Sequence, residues 1–139
     1  MKKLFIVIAL ALGFLMACDK SDSTEVVIRG EIKETSSQFE DLKFLSDLFI
    51  EISTISSSVE CTDGEDWKFT SYGHKPSGGP IGYIAYHQSI NENSFLSKVK
   101  FYTNQQKIYN EKWELSSESA PPSEPIGVNC KNGSPVFIY

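Results

Sequence analysis

Apolar residues Phe39, Leu42, Leu45, Leu48, Phe49 and Ile52 recur at steps of three and four. That period puts them on one face of a helix, predicted from Gln38 to Ser53. Ser36 or Ser37 supplies an N-cap, and Glu40, Asp41, Lys43 and Asp47 fill much of the other side. Phe44 and Ile50 widen the stripe, so the helix is expected to be well covered by a sheet. A second stripe, Phe95, Val99, Tyr102, Gln106, Tyr109 and Trp113, predicts a helix from about Ser94 to Trp113, capped by Asn91 or Asn93.

Shorter patterns of period two predict strands. Glu25 to Glu34 alternates loosely around Val26 and Ile28 and reads as an edge strand. Trp67, Phe69 and Ser71 alternate with Lys68, Thr70 and Tyr72 after the turn-forming Thr62-Asp63-Gly64. Tyr83-Ile84-Ala85-Tyr86 is a short apolar run, strand or helix by pattern alone. Near the end, Asn132-Gly133 between β-prone runs is a strong hairpin signal. The final Phe137-Ile138-Tyr139 suggests a last strand lying inside a sheet. Gly73 to Pro80 and Ser116 to Pro125 are glycine-, proline- and serine-rich and cannot be regular structure. The order β–α–β–(β)–α–β–β predicts an α+β fold, two helices packed on one mostly antiparallel sheet with a C-terminal β-hairpin.

The first residues form a different unit. Lys2 and Lys3 precede an apolar run from Leu4 to Phe14, well short of the ~20 residues that span a bilayer. A charged start, a short apolar stretch and small residues at the boundary mark a secretory signal peptide. The boundary Leu15-Met16-Ala17-Cys18 resembles the lipobox of bacterial lipoproteins, which implies diacylglyceryl attachment to Cys18 and removal of residues 1–17. Such an anchor carries two or three acyl chains, enough for durable attachment. Asp19 after the cysteine is compatible with inner-membrane retention and with the short charged tether of surface lipoproteins. The expected organisation is a signal peptide (1–17), a lipidated cysteine and polar tether (18–24), and one globular domain (25–139). The expected location is the cell membrane or outer membrane, with the domain facing periplasm or cell surface.

Composition narrows the partners. Removing 17 of 139 residues leaves 122, enough for one domain. Thirteen basic and 18 acidic side chains give −5; losing Lys2 and Lys3 leaves 11 against 18, or −7. An acidic domain without a basic cluster argues against nucleic acid and against electrostatic docking on anionic lipid. With Cys18 taken by the anchor, Cys61 and Cys130 are an even pair in an oxidising compartment, and a disulfide is expected.

From Cys61 onward the chain carries Asp66-Trp67-Lys68-Phe69-Thr70, Gly78-Gly79-Pro80, Gly82-Tyr83-Ile84-Ala85-Tyr86, Tyr102, Tyr109-Asn110 and Cys130-Lys131-Asn132-Gly133. Over about the last 80 residues it resembles a family of small bacterial lipoproteins of unknown function. In that family a cysteine before Gly-Gly-Pro and another before the late proline loop form a second bridge. Ser77 and Ser119 stand at the corresponding positions, which implies a lost bridge and a looser loop.

Candidate chemistry is sparse. His74 and His87 are the only histidines, and no H-E-x-x-H, C-x-x-C or G-x-S-x-G accompanies either. Asp63-Gly64-Glu65-Asp66 offers too few oxygens for calcium and reads as a solvated turn. The loop after Gly73 lacks the phosphate-cradling pattern, and Pro80 withholds a donor. No cofactor or metal is expected. Tyr83, Tyr86, Tyr102, Tyr109 and Trp113 point to the core before a binding surface. The resulting expectation is a non-enzymatic, membrane-anchored binding or inhibitor-type module. Its candidate recognition loop is His74, Lys75, Ser77, Gly78, Gly79 and Pro80, with an envelope or secreted protein or a glycan as partner. The alternative is a small cell-envelope hydrolase using His74 or His87.

Overall fold

The computed structural model describes residues 30–139. The signal peptide, Cys18 and the tether lie outside the described residues, as does the first half of the expected Glu25–Glu34 strand. The described remainder of that strand is irregular. There Ile32 is buried and its amide donates to Gln105 Oε1 at 2.8 Å.

The fold is α+β: helix α1 (Gln38–Ser56), strands β1 (Trp67–Tyr72) and β2 (Gly82–His87), helix α2 (Glu92–Lys112), and strands β3 (Gly127–Lys131) and β4 (Ser134–Ile138). Ser37 caps α1 through a capping box. Its hydroxyl accepts from the Glu40 amide at 3.3 Å, and its own amide donates to Glu40 Oε2 at 2.7 Å. Asn91 caps α2, accepting from the Ser94 amide at 3.0 Å.

The strands do not form one sheet. They form two separate antiparallel hairpins, β1–β2 and β3–β4, which corrects the single-sheet expectation. The reason lies just before β1. A one-turn 3₁₀ helix (Gly64–Asp66) leaves room for β3 only because Gly64 has no side chain. A Cβ there would meet Val128 O at 2.5 Å. The Cys61–Cys130 disulfide fixes the same pair of segments, with Cα atoms 5.4 Å apart, and the Cys61 amide donates to Gly133 O at 2.9 Å. With β3 held against residues 61–66, the β3–β4 hairpin meets β1 through side chains, as in the edge-to-face pair of Phe69 on β1 with Phe137 on β4. The chain-entropy model gives about 4 kcal/mol for closing a loop of this span.

The last strand is an edge strand, not an internal one. Among the described residues it pairs only with β3, and Val136, Ile138 and Tyr139 are exposed. Pro135 fits that place because it has no amide to offer a further neighbour. Asn132 and Gly133 both take positive φ (54° and 77°), the tight turn their dipeptide favours.

Two cores result. Leu45, Ile52, Ile84, Tyr86, Phe95, Val99, Tyr102 and Tyr109 pack between the helices and β2. Cys61, Trp67 and Ala85 make a smaller cluster with Val128 and Phe137. Strand β2 contributes to both, which explains why its apolar run is continuous rather than alternating.

Helix α1 is turned relative to the expected stripe. Phe39, Leu42 and Ile50 are exposed, whereas Asp41 is 1% exposed and aligned with Leu45 and Ile52. Its carboxylate takes Lys112 Nζ at 2.7 Å and Trp113 Nε1 at 3.0 Å on one oxygen, and the Ser36 hydroxyl at 2.5 Å on the other. Along α2 the buried amide is Gln105 rather than Gln106, joined by Asn110.

Candidate functional site

The candidate loop starts where β1 ends. Gly73 turns at φ 71°, and its amide donates to Thr103 Oγ1 at 2.9 Å on α2. Asn110 Nδ2 donates to His74 O at 2.6 Å. A tight turn follows, with the Gly78 amide on Lys75 O and the Lys75 amide on Gly79 O, each at 2.9 Å. Gly78 and Gly79 sit at φ 93° and 79°, a region that side chains disfavour.

This turn is clasped by the second irregular loop. Lys75 Nζ donates to Ser119 Oγ at 2.7 Å and to Ala120 O at 2.9 Å. The Ser77 hydroxyl donates to Ser119 O at 3.1 Å. Gly79 faces Pro121 so closely that a Cβ would stand 3.0 Å from the proline ring. Ser77 and Ser119, the positions that the family resemblance pairs as cysteines, therefore lie side by side. Hydrogen bonds hold them, and Lys75 is turned inward onto the partner loop.

Outside the clasp, Pro76, Ser77, Gly79 and residues 118–124 are exposed, and Pro80 is half-buried. Beside it lies a cleft of about 290 Å³, with His74 and Pro76 on one wall and Lys107, Asn110, Glu111, Glu114 and Leu115 on the others. The cleft combines both charge signs with one imidazole, and its lining is more polar than apolar. It suits a polar contact better than a buried apolar ligand.

His87 is elsewhere, at the end of β2. Its Nδ1 accepts the Ser89 amide at 3.1 Å and lies 2.7 Å from the Ser89 hydroxyl. Its Nε2 is 4.0 Å from Asp66 Oδ2, and its ring stands edge-on to Trp67. Serine, imidazole and carboxylate do come together. However, the imidazole lone pair is shared with a backbone amide that closes the β2–α2 turn, and Asp66 is bound to Gln88 Nε2 at 2.6 Å. The acidic run is likewise engaged locally: Asp63 caps the 3₁₀ turn through the Glu65 amide at 2.9 Å. Among the described residues no group of three or more His, Cys, Asp or Glu side chains is placed to hold a metal ion.

Two further polar clusters shape the domain. Glu92 joins Tyr86 Oη at 2.8 Å to Lys68 Nζ at 2.9 Å. Burial, and then the Glu92 carboxylate, push the Tyr86 phenol up to about 12; hydrogen bonds from Lys68 and Tyr86 hold Glu92 below the usual carboxylate range. At Asp41 desolvation favours the neutral acid. Donation from Lys112, Ser36 and Trp113 outweighs it, so the pKa is lowered. Sequence reading placed Asp41 on the outer face; its spacing of four and eleven from Leu45 and Ile52 was the signal for the buried one.

No protein-family model, curated protein or solved structure matches the chain.

Proposed function

We propose that this is a lipid-anchored, non-enzymatic module of the bacterial cell envelope, and that its clasped loops, Gly73 to Pro80 and Ser116 to Pro125, form the contact surface for a protein or glycan partner. The observation that carries the reading is the clasp. Two irregular, exposed loops are fixed to each other and to α2 by named hydrogen bonds, so their shape is set before any partner arrives. A pre-ordered loop loses less conformational entropy on binding than a loose one. Attachment through Cys18 would place that surface outside the cytosol, where the Cys61–Cys130 disulfide is stable.

The experiment is retention of envelope components on the immobilised mature chain, compared with Pro76→Glu. Pro76 is exposed beside the cleft, and a charge there changes the surface without removing a clasp bond. A retained species lost on Pro76→Glu supports the reading. Equal retention by both chains, or none by either, contradicts it.

The hydrolase reading has one observation on its side, the 2.7 Å approach of Ser89 Oγ to His87 Nδ1 with Asp66 beyond the ring. His87→Ala decides it, since an ester-cleaving activity would disappear while partner retention would not.

A further inference from the structure

Helix α1 keeps an apolar ridge out of the core. Phe39 is 76% exposed, Leu42 50% and Ile50 59%, and Ser46, between them on the same face, is also exposed. At 3.6 residues per turn these positions fall within about a quarter of the helix circumference, along roughly 16 Å of its length. Single exposed apolar residues are ordinary on any protein surface. Three on one helical face, with Ser46 between Leu42 and Ile50, make an apolar ridge rather than scattered single residues.

Charge and chain length point to the occupant. The charged side chains of α1 beside the ridge each have a partner. Glu40 is held in the capping box, Lys43 pairs with Asp47 at 2.7 Å, and Glu51 pairs with Lys98. A surface laid against the ridge therefore meets two ion pairs and one hydrogen-bonded carboxylate, Glu40, there, whereas the mature chain as a whole carries −7. Only 11 residues lie between Cys18 and Gly30, a reach of about 40 Å at full extension. Helix α1 begins eight residues after Gly30.

We infer that the Phe39–Leu42–Ile50 ridge rests on the lipid surface, giving the domain a second, apolar contact with the bilayer and a fixed orientation on it. The inference rests on the anchor reading under Proposed function, which supplies the nearness. Amphipathic helices at a membrane surface lie in the interfacial plane with the apolar side at the headgroup–acyl boundary; α1 has one lysine against four carboxylates, so its contact rests on the apolar ridge alone. The contact needs neutral or zwitterionic lipid, in keeping with the acidic domain. Held close by the tether, a ridge too weak to bind from solution engages through its effective concentration.

The test supplies the anchor chemically. The mature chain is coupled through the Cys18 thiol to a maleimide lipid in phosphatidylcholine vesicles, Cys61 and Cys130 being bridged. Phe39→Trp is compared in vesicles with brominated and ordinary acyl chains, using Lys131→Trp at the end of β3 as the control and the unsubstituted chain as background. The added fluorescence of Phe39→Trp is expected to fall about twofold in brominated lipid, as for a ring at the acyl boundary, and that of Lys131→Trp to stay unchanged. Equal emission from Phe39→Trp in both lipids, or equal quenching of both variants, overturns the ridge. Because the anchor is built in, that failure leaves the anchor reading untouched. The anchor itself is read separately, from the mass of the protein made in its own host.

Discussion

Two lysines each hold an irregular segment by its oxygens, in opposite surroundings. Lys112 reaches Lys33 O and Ser36 O, both at 2.7 Å, and completes its shell with the buried carboxylate of Asp41. Lys75 reaches Ser119 Oγ and Ala120 O in the open, with no carboxylate on it. The first ties the chain entry, α1 and the end of α2 into one unit. The second ties only two surface loops. A buried ion pair broken on one side leaves an uncompensated charge, whereas exposed bonds trade readily with water. The comparison therefore assigns the first lysine to folding and the second to the shape of the loops.

The largest expected effect is at the buried site. Asp41→Ala removes the carboxylate from Lys112, Trp113 and Ser36 and should destabilise the domain by about 3–5 kcal/mol, measured by denaturant unfolding. Sealing the other site comes next. Ser77→Cys with Ser119→Cys should oxidise to a second bridge and raise stability by about 2–3 kcal/mol, the closed loop lying inside the existing one. A failure to form the bridge would show that the two loops do not stay together.

Acid sharpens the contrast. The Asp41 pKa is lowered in the fold, so its contribution is present above the unfolded value of 3.8 and is lost as pH falls through the folded one. Stability should drop on acidification below about pH 4, and Asp41→Asn should flatten that part of the profile. At the other end, Tyr86 is raised to about 12, so stability falls between its ordinary value of 10.0 and 12 as the unfolded chain loses the proton first. Tyr86→Phe should remove that alkaline component, at about 1 kcal/mol near neutrality for the lost bond to Glu92. The smallest stability effect is Lys75→Ala, under about 1 kcal/mol.

Local signals carried much of the fold. An N-cap at Ser36 or Ser37 and the three–four spacing located α1, Asn-Gly located the last hairpin, and glycine and proline marked both loops as irregular. The misreadings share one cause, partners far along the chain. Asp41 faces inward because Lys112 and Trp113 lie more than 70 residues later. The strands split into two hairpins because Gly64 and Cys61 seat β3 ahead of β1, which no alternation pattern encodes. The candidate loop was visible as a loop. Its clasp was not, because Lys75 meets Ser119 across 44 positions. Only the comparison of Ser77 and Ser119 with a cysteine pair pointed there.

The division of labour between the two lysines is tested most directly on one preparation of Lys75→Ala, by measuring its melting midpoint together with its retention of whatever envelope component the unsubstituted chain retains. The account predicts a midpoint within a few degrees of the unsubstituted chain and retention lost. A midpoint lowered as far as in Asp41→Ala, or retention unchanged, would contradict it.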